Sequence, residues 1–166
     1  MLPRDIGFVI GQTGMNRQDR VLDAGTGSGI AAIYFGGIVR SVDTYEIRPE
    51  FARKAAISIQ DAGLENVQVI SADLIEAGGE YDIVHLDMNI RSEHVEHART
   101  LLRPGGFLAC YTPFLEQMSL VMDTAAPLFR LVQAFEVSER EMIRSARGTR
   151  PSTRVGHSGY ITIARR

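Results

Sequence analysis

One glycine run and four acids carry the chemistry legible in this sequence of 166 residues. The run is Val21-Leu22-Asp23-Ala24-Gly25-Thr26-Gly27-Ser28-Gly29, in which an apolar pair leads into an acid and three alternate glycines. It reads as a buried strand ending in a tight turn whose backbone N–H groups open the next helix. Glycine lacks Cβ and tolerates φ > 0, so a ligand can approach the main chain closely. Free N–H groups at a helix start favour an anionic group such as a carboxylate or phosphate. A dinucleotide fingerprint needs glycine at the first, third and sixth positions of the loop, whereas here the fifth is Gly29 and the sixth is Ile30. This spacing suits a nucleoside carrying an amino acid, which points to S-adenosylmethionine. Asp23, Gly25, Thr26, Gly27, Ser28 and Gly29 are the first candidate cofactor-binding residues.

The other acids recur at intervals. Glu46 closes Ser41-Val42-Asp43-Thr44-Tyr45-Glu46 and is followed by Ile47. It lies about 20 residues past the first glycine, where nucleotide-binding α/β folds place the carboxylate that holds the ribose hydroxyls. Asp73 sits in Ala72-Asp73-Leu74 after the strand Val67–Ser71, and Asp87 ends the run Tyr81–Asp87. One acid after a strand can equally cap a helix N-terminus. Four of them at successive strand ends, beside a glycine loop, fall on the one edge of a parallel sheet where ligands bind.

A fold must bring those ends together. The predicted order is a short helix near Asp5–Gln12, strand Arg20–Asp23, helix Ser28–Ile38 with Ser28 as N-cap, a strand ending at Glu46, helix Pro49–Ala62, and strands Val67–Ser71 and Tyr81–Asp87. Helix Ser92–Leu102 follows, stopped by the turn Pro104-Gly105-Gly106, and then strand Phe107–Tyr111, helix Leu115–Ala126, and strands Arg130–Glu136 and Ser158–Ala164. Strands alternating with helices imply an α/β, doubly wound, mostly parallel sheet with helices on both faces. The last two strands have no helical pattern between them and should pair as an antiparallel hairpin.

The net charge of −2 conceals an asymmetry: residues 128–166 carry eight arginines against three acids. Arginine forks onto phosphate bidentately and stacks on bases. The topology predicts that the stretch Ser138–Gly156, read as a loop without secondary structure, lies over the acidic edge, because long loops of this kind are commonly functional. Arg140, Arg144, Arg147, Arg150 and Arg154 would then rim the cofactor pocket, with His157 and Tyr160 beside it. A cationic rim suggests a polyanion such as RNA. Tyr111 and Phe114, at the end of a strand, are equally base-stacking or rim-packing groups.

The remaining features bound the class. The length suits a single domain spanning 1–166. No apolar stretch spans a bilayer and no secretory signal is evident. Cys110 is the lone cysteine, so no disulfide framework or zinc spacing exists, in keeping with a reducing cytoplasm. His94 and His97 stand i,i+3 on a predicted helix near His85, but without further sulfur ligands no metal is expected.

Several segments together resemble the tRNA adenine-N1 methyltransferases of archaea and bacteria: Leu2-Pro3-Arg4-Asp5, the glycine loop, Tyr45-Glu46-Ile47-Arg48, Arg103-Pro104-Gly105-Gly106-Phe107, Arg150-Pro151 and the ending His157-Ser158-Gly159-Tyr160-Ile161-Thr162-Ile163-Ala164-Arg165. The glycine loop and Pro-Gly-Gly turn are common to many methyltransferases of this fold, whereas the ending is more specific. The resemblance implies a Rossmann-like class I fold of seven strands with the last antiparallel, and S-adenosylmethionine-dependent methylation of N1 of an adenosine in the tRNA T-loop, by a homo-oligomer, usually a tetramer, with neither DNA nor membrane as partner. By the same resemblance Asp23 and the glycine loop hold the methionine part of the cofactor. Glu46 takes the ribose hydroxyls, Asp73 the adenine amino group, and Asp87 is the catalytic aspartate, accepting N6–H from the target base and relaying its proton. Two departures stand out. The family's prolines after that aspartate are replaced by Met88-Asn89-Ile90-Arg91, and with about 20 residues before the first strand the expected enzyme lacks the family's N-terminal β-domain. A small-molecule methyltransferase and a non-catalytic cofactor- or RNA-binding subunit are the alternatives.

Overall fold

The computed structural model describes residues 1–153 and 156–166. In chain order the elements are α1 (Pro3–Thr13), β1 (Arg20–Ala24), α2 (Ile30–Gly36), β2 (Ser41–Tyr45), α3 (Pro49–Asp61), β3 (Val67–Ile70), a 3-10 turn (Leu74–Glu76), β4 (Tyr81–Leu86), α4 (Ser92–Leu101), β5 (Leu102–Thr112), α5 (Leu115–Ala125), β6 (Leu131–Glu136), β7 (Met142–Ser145), β8 (Gly148–Pro151) and β9 (Tyr160–Arg165). Seven strands form one sheet in the order β3-β2-β1-β4-β5-β9-β6, while β7 and β8 form a separate hairpin. Strands β1 to β5 pair in parallel, and β9 runs antiparallel to both β5 and β6. The doubly wound sheet with a reversed last strand is the expected fold.

Period-2 alternation sorts the strand residues onto two faces. Leu22, Val84, Leu86, Leu108 and Cys110 pack with Val95, Ala98 and Leu101 of α4 and with Val121 and Ala125 of α5. Val21, Ile83, Ala109, Ile161 and Ile163 pack with Ile6 and Val9 of α1, Ala32 and Phe35 of α2 and Ile59 of α3. Strand β4 is buried at all six positions, as a central strand covered on both faces must be. Burial of each such aliphatic side chain contributes about 1.5–3 kcal/mol. Cys110 belongs to this core, and burial pushes its thiol pKa upward, so it is a packing residue and not a nucleophile.

Three local expectations are corrected. Ser28 does not cap α2: the helix begins at Ile30, and Gly29 precedes it at φ 85 with no side-chain cap, so the glycine turn is one residue longer than the composition suggested. Pro104-Gly105-Gly106 does not separate helix from strand, because β5 starts at Leu102 directly after α4 and its register against β4 shifts between Tyr81 and Ile83. Gly106 is squeezed there, since a Cβ would sit 2.7 Å from the Asp82 carbonyl oxygen. Finally, the arginine-rich stretch is not without structure: it folds into the β7–β8 hairpin, paired from Met142↔Pro151 to Ser145↔Gly148.

Candidate active site

The C-terminal ends of β1, β2, β3 and β4 meet around a cavity of about 340 Å³. Gly25, Glu46, Ile47, Ala72, Asp73, Leu74 and Asp87 line it, together with Ala24, Tyr45, Arg48, Met88, Asn89, Arg91 and His94. An adjoining cavity of about 210 Å³ is lined by Thr26, Gly27 and Ser28, with Gly25, Arg48 and Asp87 shared between the two. Gly29 lines neither; its φ of 85 makes the bend into α2 instead. A wider open basin of about 870 Å³ lies at the opposite strand ends, lined by Arg99, Arg130, Arg165 and Arg166 and by no acid. The converging acids belong to the first two cavities alone.

Gly25 joins the loop to the acidic edge. Its φ is 92, and a Cβ there would lie 2.1 Å from the Asp87 carbonyl oxygen and 2.7 Å from the Asp87 carbonyl carbon. Backbone contact this close is open only to glycine. The Gly25 N–H donates to the Tyr45 carbonyl at 2.9 Å and the Asp87 N–H to the Ala24 carbonyl at 2.9 Å. The ends of β1, β2 and β4 are thereby locked together.

Glu46 is the anchor of the larger cavity. Its side chain is 2 % exposed. Its Oε2 accepts the Gly27 N–H at 3.0 Å, and its Oε1 accepts the Arg48 N–H at 3.1 Å and Arg48 Nε at 2.9 Å. Burial alone would raise this carboxyl, but the hydrogen bonds from the Arg48 guanidinium and from the Gly27 and Arg48 N–H groups hold it below the usual glutamate range. It is an ionised acceptor tied to the glycine loop. Arg48, stacked 4.0 Å over the Phe51 ring, is the neighbour that sequence reasoning left without a role; its spacing of two from Glu46 was the available signal.

Asp73 caps the 3-10 turn, accepting the Ile75 N–H at 3.1 Å, and its own N–H donates to Glu76. It therefore combines the capping role with a place in the cavity wall. Asp87, at 29 % side-chain exposure, lies in the walls of both cavities, and its Oδ2 accepts from the Met1 ammonium at 3.1 Å.

Asp23 behaves differently from the expected ligand contact. It is 1 % exposed and lines neither cavity. The parallel register places Thr44, Asp23 and His85 side by side on β2, β1 and β4. Thr44 Oγ1 donates to Asp23 Oδ2 at 2.6 Å, and His85 Nδ1 lies 2.6 Å from Asp23 Oδ1. With the Thr44 proton so committed, Thr26 donates to Thr44 Oγ1, also at 2.6 Å. Both Asp23 oxygens are thus occupied beneath the loop, and its reach toward a ligand passes through Thr44 and Thr26. Only tertiary pairing could reveal this, since β1 and β4 lie far apart in sequence.

The substrate-side expectations fare unevenly. No arginine of the hairpin lines the larger cavity: Arg144, Arg147 and Arg150 are exposed on β7–β8, and Arg140 borders a separate hollow with Leu2 and Arg4. The stretch pairs with itself as a hairpin, and its arginines stay out of the wall of the larger cavity. Arg154 lies outside the described residues. Tyr111 is buried in the core, its hydroxyl donating to the Ser158 carbonyl at 2.6 Å, and a Cβ at Gly159 would strike its ring at 2.6 Å. It is a packing residue, whereas Phe114 is 65 % exposed. His157 bridges Glu136 and the Pro113 carbonyl, at 2.7 and 3.2 Å, and its ring meets that of Tyr160 at a tilt of 50°. The two end segments also meet, because Ser158 Oγ donates to buried Asp5 at 3.1 Å and Arg4 to the Gly156 carbonyl at 3.2 Å. The Leu2–Asp5 and His157–Tyr160 motifs are therefore one latch between α1 and β9. Of the histidines near the site, His85 is paired with Asp23 and His97 with the Ala77 carbonyl at 3.0 Å, while His94 lies in the wall of the larger cavity. Among the described residues no group of three or more His, Cys, Asp or Glu is placed to hold a metal ion.

A reversed seventh strand, a glycine loop packed on the β4 acid and a buried carboxylate at the end of β2 define a Rossmann-like methyltransferase. Within that class the chain belongs to the family described as tRNA methyltransferase complex GCD14 subunit, which matches residues 1–148. It is 34 % identical, over 99 % of its length and 71 % of the relative's, to the tRNA (adenine(57)-N(1)/adenine(58)-N(1))-methyltransferase TrmI of Methanocaldococcus jannaschii. It is 32 % identical, over 99 % of its length and 68 % of the relative's, to the tRNA (adenine(58)-N(1))-methyltransferase TrmI of Thermus thermophilus. A crystal structure of a SAM-dependent O-methyltransferase from Thermotoga maritima superposes with a TM-score of 0.94 at 25 % identity, over all of this chain and 66 % of that one.

Proposed function

We propose that this chain, acting as one methyltransferase domain, methylates N1 of an adenosine in the T-loop of tRNA. The observation that carries the reading is Asp87, an acid shared by two adjoining cavities and held in place by the Gly25 contact, in a chain with tRNA adenine-N1 methyltransferases among its relatives. The residues fit S-adenosylmethionine: the Gly25 cradle admits no side chain, and Glu46 is an ionised acceptor at the cavity wall. When bound, that cofactor supplies an electrophilic methyl group. Glu46 holds the ribose hydroxyls, Asp73 accepts from the adenine amino group, and the loop from Gly25 to Ser28 receives the amino-acid part. Asp87 accepts N6–H of a target adenine turned out of its stack, aims its N1 lone pair and offsets the positive charge that methylation creates. Positioning contributes most of such an acceleration. The protein works as a homo-oligomer in the cytoplasm, where its substrate resides. Among the described residues no helix is long and apolar enough to cross a membrane.

One observation favours a small-molecule acceptor as the second reading: no described arginine of the hairpin lines the cofactor cavity. Methyl transfer from labelled cofactor to bulk tRNA, followed by nucleoside analysis, separates the two. N1-methyladenosine is expected with the native protein and loss of at least 100-fold in rate with Asp87→Asn at unchanged cofactor affinity, because an amide is a poorer acceptor for N6–H. Unmodified tRNA in the presence of bound cofactor overturns the tRNA reading.

A further inference from the structure

Glu46 stands at the end of β2, yet little of its carboxylate is open to a ligand. Its side chain is 2 % exposed, whereas that of Arg48, which lies against it, is 53 % exposed. Oε1 accepts the Arg48 N–H at 3.1 Å and Arg48 Nε at 2.9 Å. Oε2 accepts the Gly27 N–H at 3.0 Å and Arg48 Nη2 at 3.3 Å. A carboxylate offers about four lone-pair positions, two on each oxygen, so this one is full. The two main-chain donors are fixed by the glycine turn and by the chain leading into α3. The two guanidinium donors sit on a half-exposed side chain and form a planar fork across both oxygens. A vicinal diol presents the same pattern, one O–H donor for each oxygen. Arg48 therefore occupies on Glu46 the positions that ribose hydroxyls need.

We propose that Arg48 is a gate on the ribose site, whose guanidinium leaves Glu46 so that the two ribose hydroxyls of the cofactor can take its place. The proposal rests on reading Glu46 as the ribose carboxylate of an S-adenosylmethionine site. The exchange keeps the number of hydrogen bonds on Glu46, since two O–H donors replace two N–H donors while the Gly27 and Arg48 N–H groups stay. It also breaks an ion pair, so the affinity of the native protein is reduced to the fraction of molecules in which the fork stands open. The released side chain has other partners. It lies in the walls of both cavities, with its guanidinium 4.0 Å over the Phe51 ring, and Glu50 is a second acid whose charge acts on it. Only a ligand with two donors in the diol arrangement offsets the lost fork. The gate thereby favours ribose over deoxyribose.

Calorimetry of the full chain with S-adenosylhomocysteine tests this. Arg48→Met keeps an apolar stem over Phe51 and removes the fork. The titrations are run at mildly alkaline pH, far above the ordinary glutamate value of about 4.3, where the two main-chain donors hold Glu46 ionised in both proteins. Arg48→Met is expected to bind about 2- to 5-fold more tightly than the native protein, the range for opening a half-exposed ion pair. Equal or weaker binding by Arg48→Met overturns the proposal. Nitrogen-15 spectra of the native protein give a reading free of any folding defect. The Arg48 Nε–H signal, bonded to Glu46 in the free protein, should shift and exchange faster with solvent on saturation, and an unmoved signal overturns the gate. Failure of the native protein to bind S-adenosylhomocysteine removes the ribose reading of Glu46 and this proposal with it. Binding that leaves the Arg48 fork in place removes this proposal alone.

Discussion

Replacing Gly25 by alanine is the sharpest test of how the site is assembled. The backbone at Gly25 has φ 92, and an L-residue in a left-handed conformation costs about 1–2 kcal/mol. The new Cβ would lie 2.1 Å from the Asp87 carbonyl oxygen and 3.1 Å from Met88 Cβ. Restoring ordinary contact requires the β4 end to move by about 1 Å, and overpacking of this kind costs about 1–3 kcal/mol. The sum is about 2–5 kcal/mol, which for a chain of this size lowers the melting temperature by on the order of 10 °C. The same displacement carries Asp87 away from its aim, and a misplacement of about 1 Å costs about 100-fold in rate. Gly63→Ala is the control, because Gly63 has φ 70 but nothing within 4 Å of its Cβ position. It should lose only the conformational part. Thermal melting, S-adenosylhomocysteine calorimetry and methyl transfer should be measured on both. If Gly25→Ala melts within a degree or two of Gly63→Ala and methylates at the native rate, the loop is not braced against Asp87 and the reasoning fails.

Three further outcomes are expected. Glu46→Gln replaces an ionised acceptor of the Gly27 N–H by a neutral one, and charge-assisted hydrogen bonds are the stronger kind. S-adenosylhomocysteine affinity should fall about 10- to 100-fold, and native affinity in calorimetry would remove Glu46 from the site. Alanine at Arg144, Arg147 and Arg150, all exposed on the β7–β8 hairpin, should flatten the salt dependence of tRNA binding, because each phosphate contact releases condensed counterions. An unchanged slope would show that the hairpin does not touch RNA. The His157 pKa is raised, first by Glu136 and then by the Pro113 carbonyl, so the protonated clamp is fully present below the ordinary histidine value of about 6.5. It is lost as pH rises through the raised value. Hydrogen exchange around His157 to Tyr160 should therefore quicken on the alkaline side, and slowing there would reverse the assignment.

The sequence alone determined the layers of this protein and the line of its chemistry. Alternating apolar strands and helices are local patterns, and an acid at the end of each parallel strand necessarily reaches one edge. Glu46, Asp73 and Asp87 were legible for that reason, and so was the reversed last strand, because no helix separates it from β6. What each side chain does at that edge depended on contacts between segments distant in the chain. Asp23 looked like its three counterparts, yet the register of β2, β1 and β4 gives it Thr44 and His85 as partners and buries it under the loop. Tyr111 read equally as a base-stacking or a rim-packing group at a strand end, and the returning Gly159, packed against its ring, decides for packing. The arginine-rich stretch carried no apolar periodicity to announce a hairpin, because β7 and β8 are exposed at every position and their pairing rests on backbone hydrogen bonds. His94 was visible only as one of a possible metal pair. The fold alone turned it into the cavity wall, buried and accepting the Arg91 N–H, because neither its burial nor that contact is encoded in a residue type.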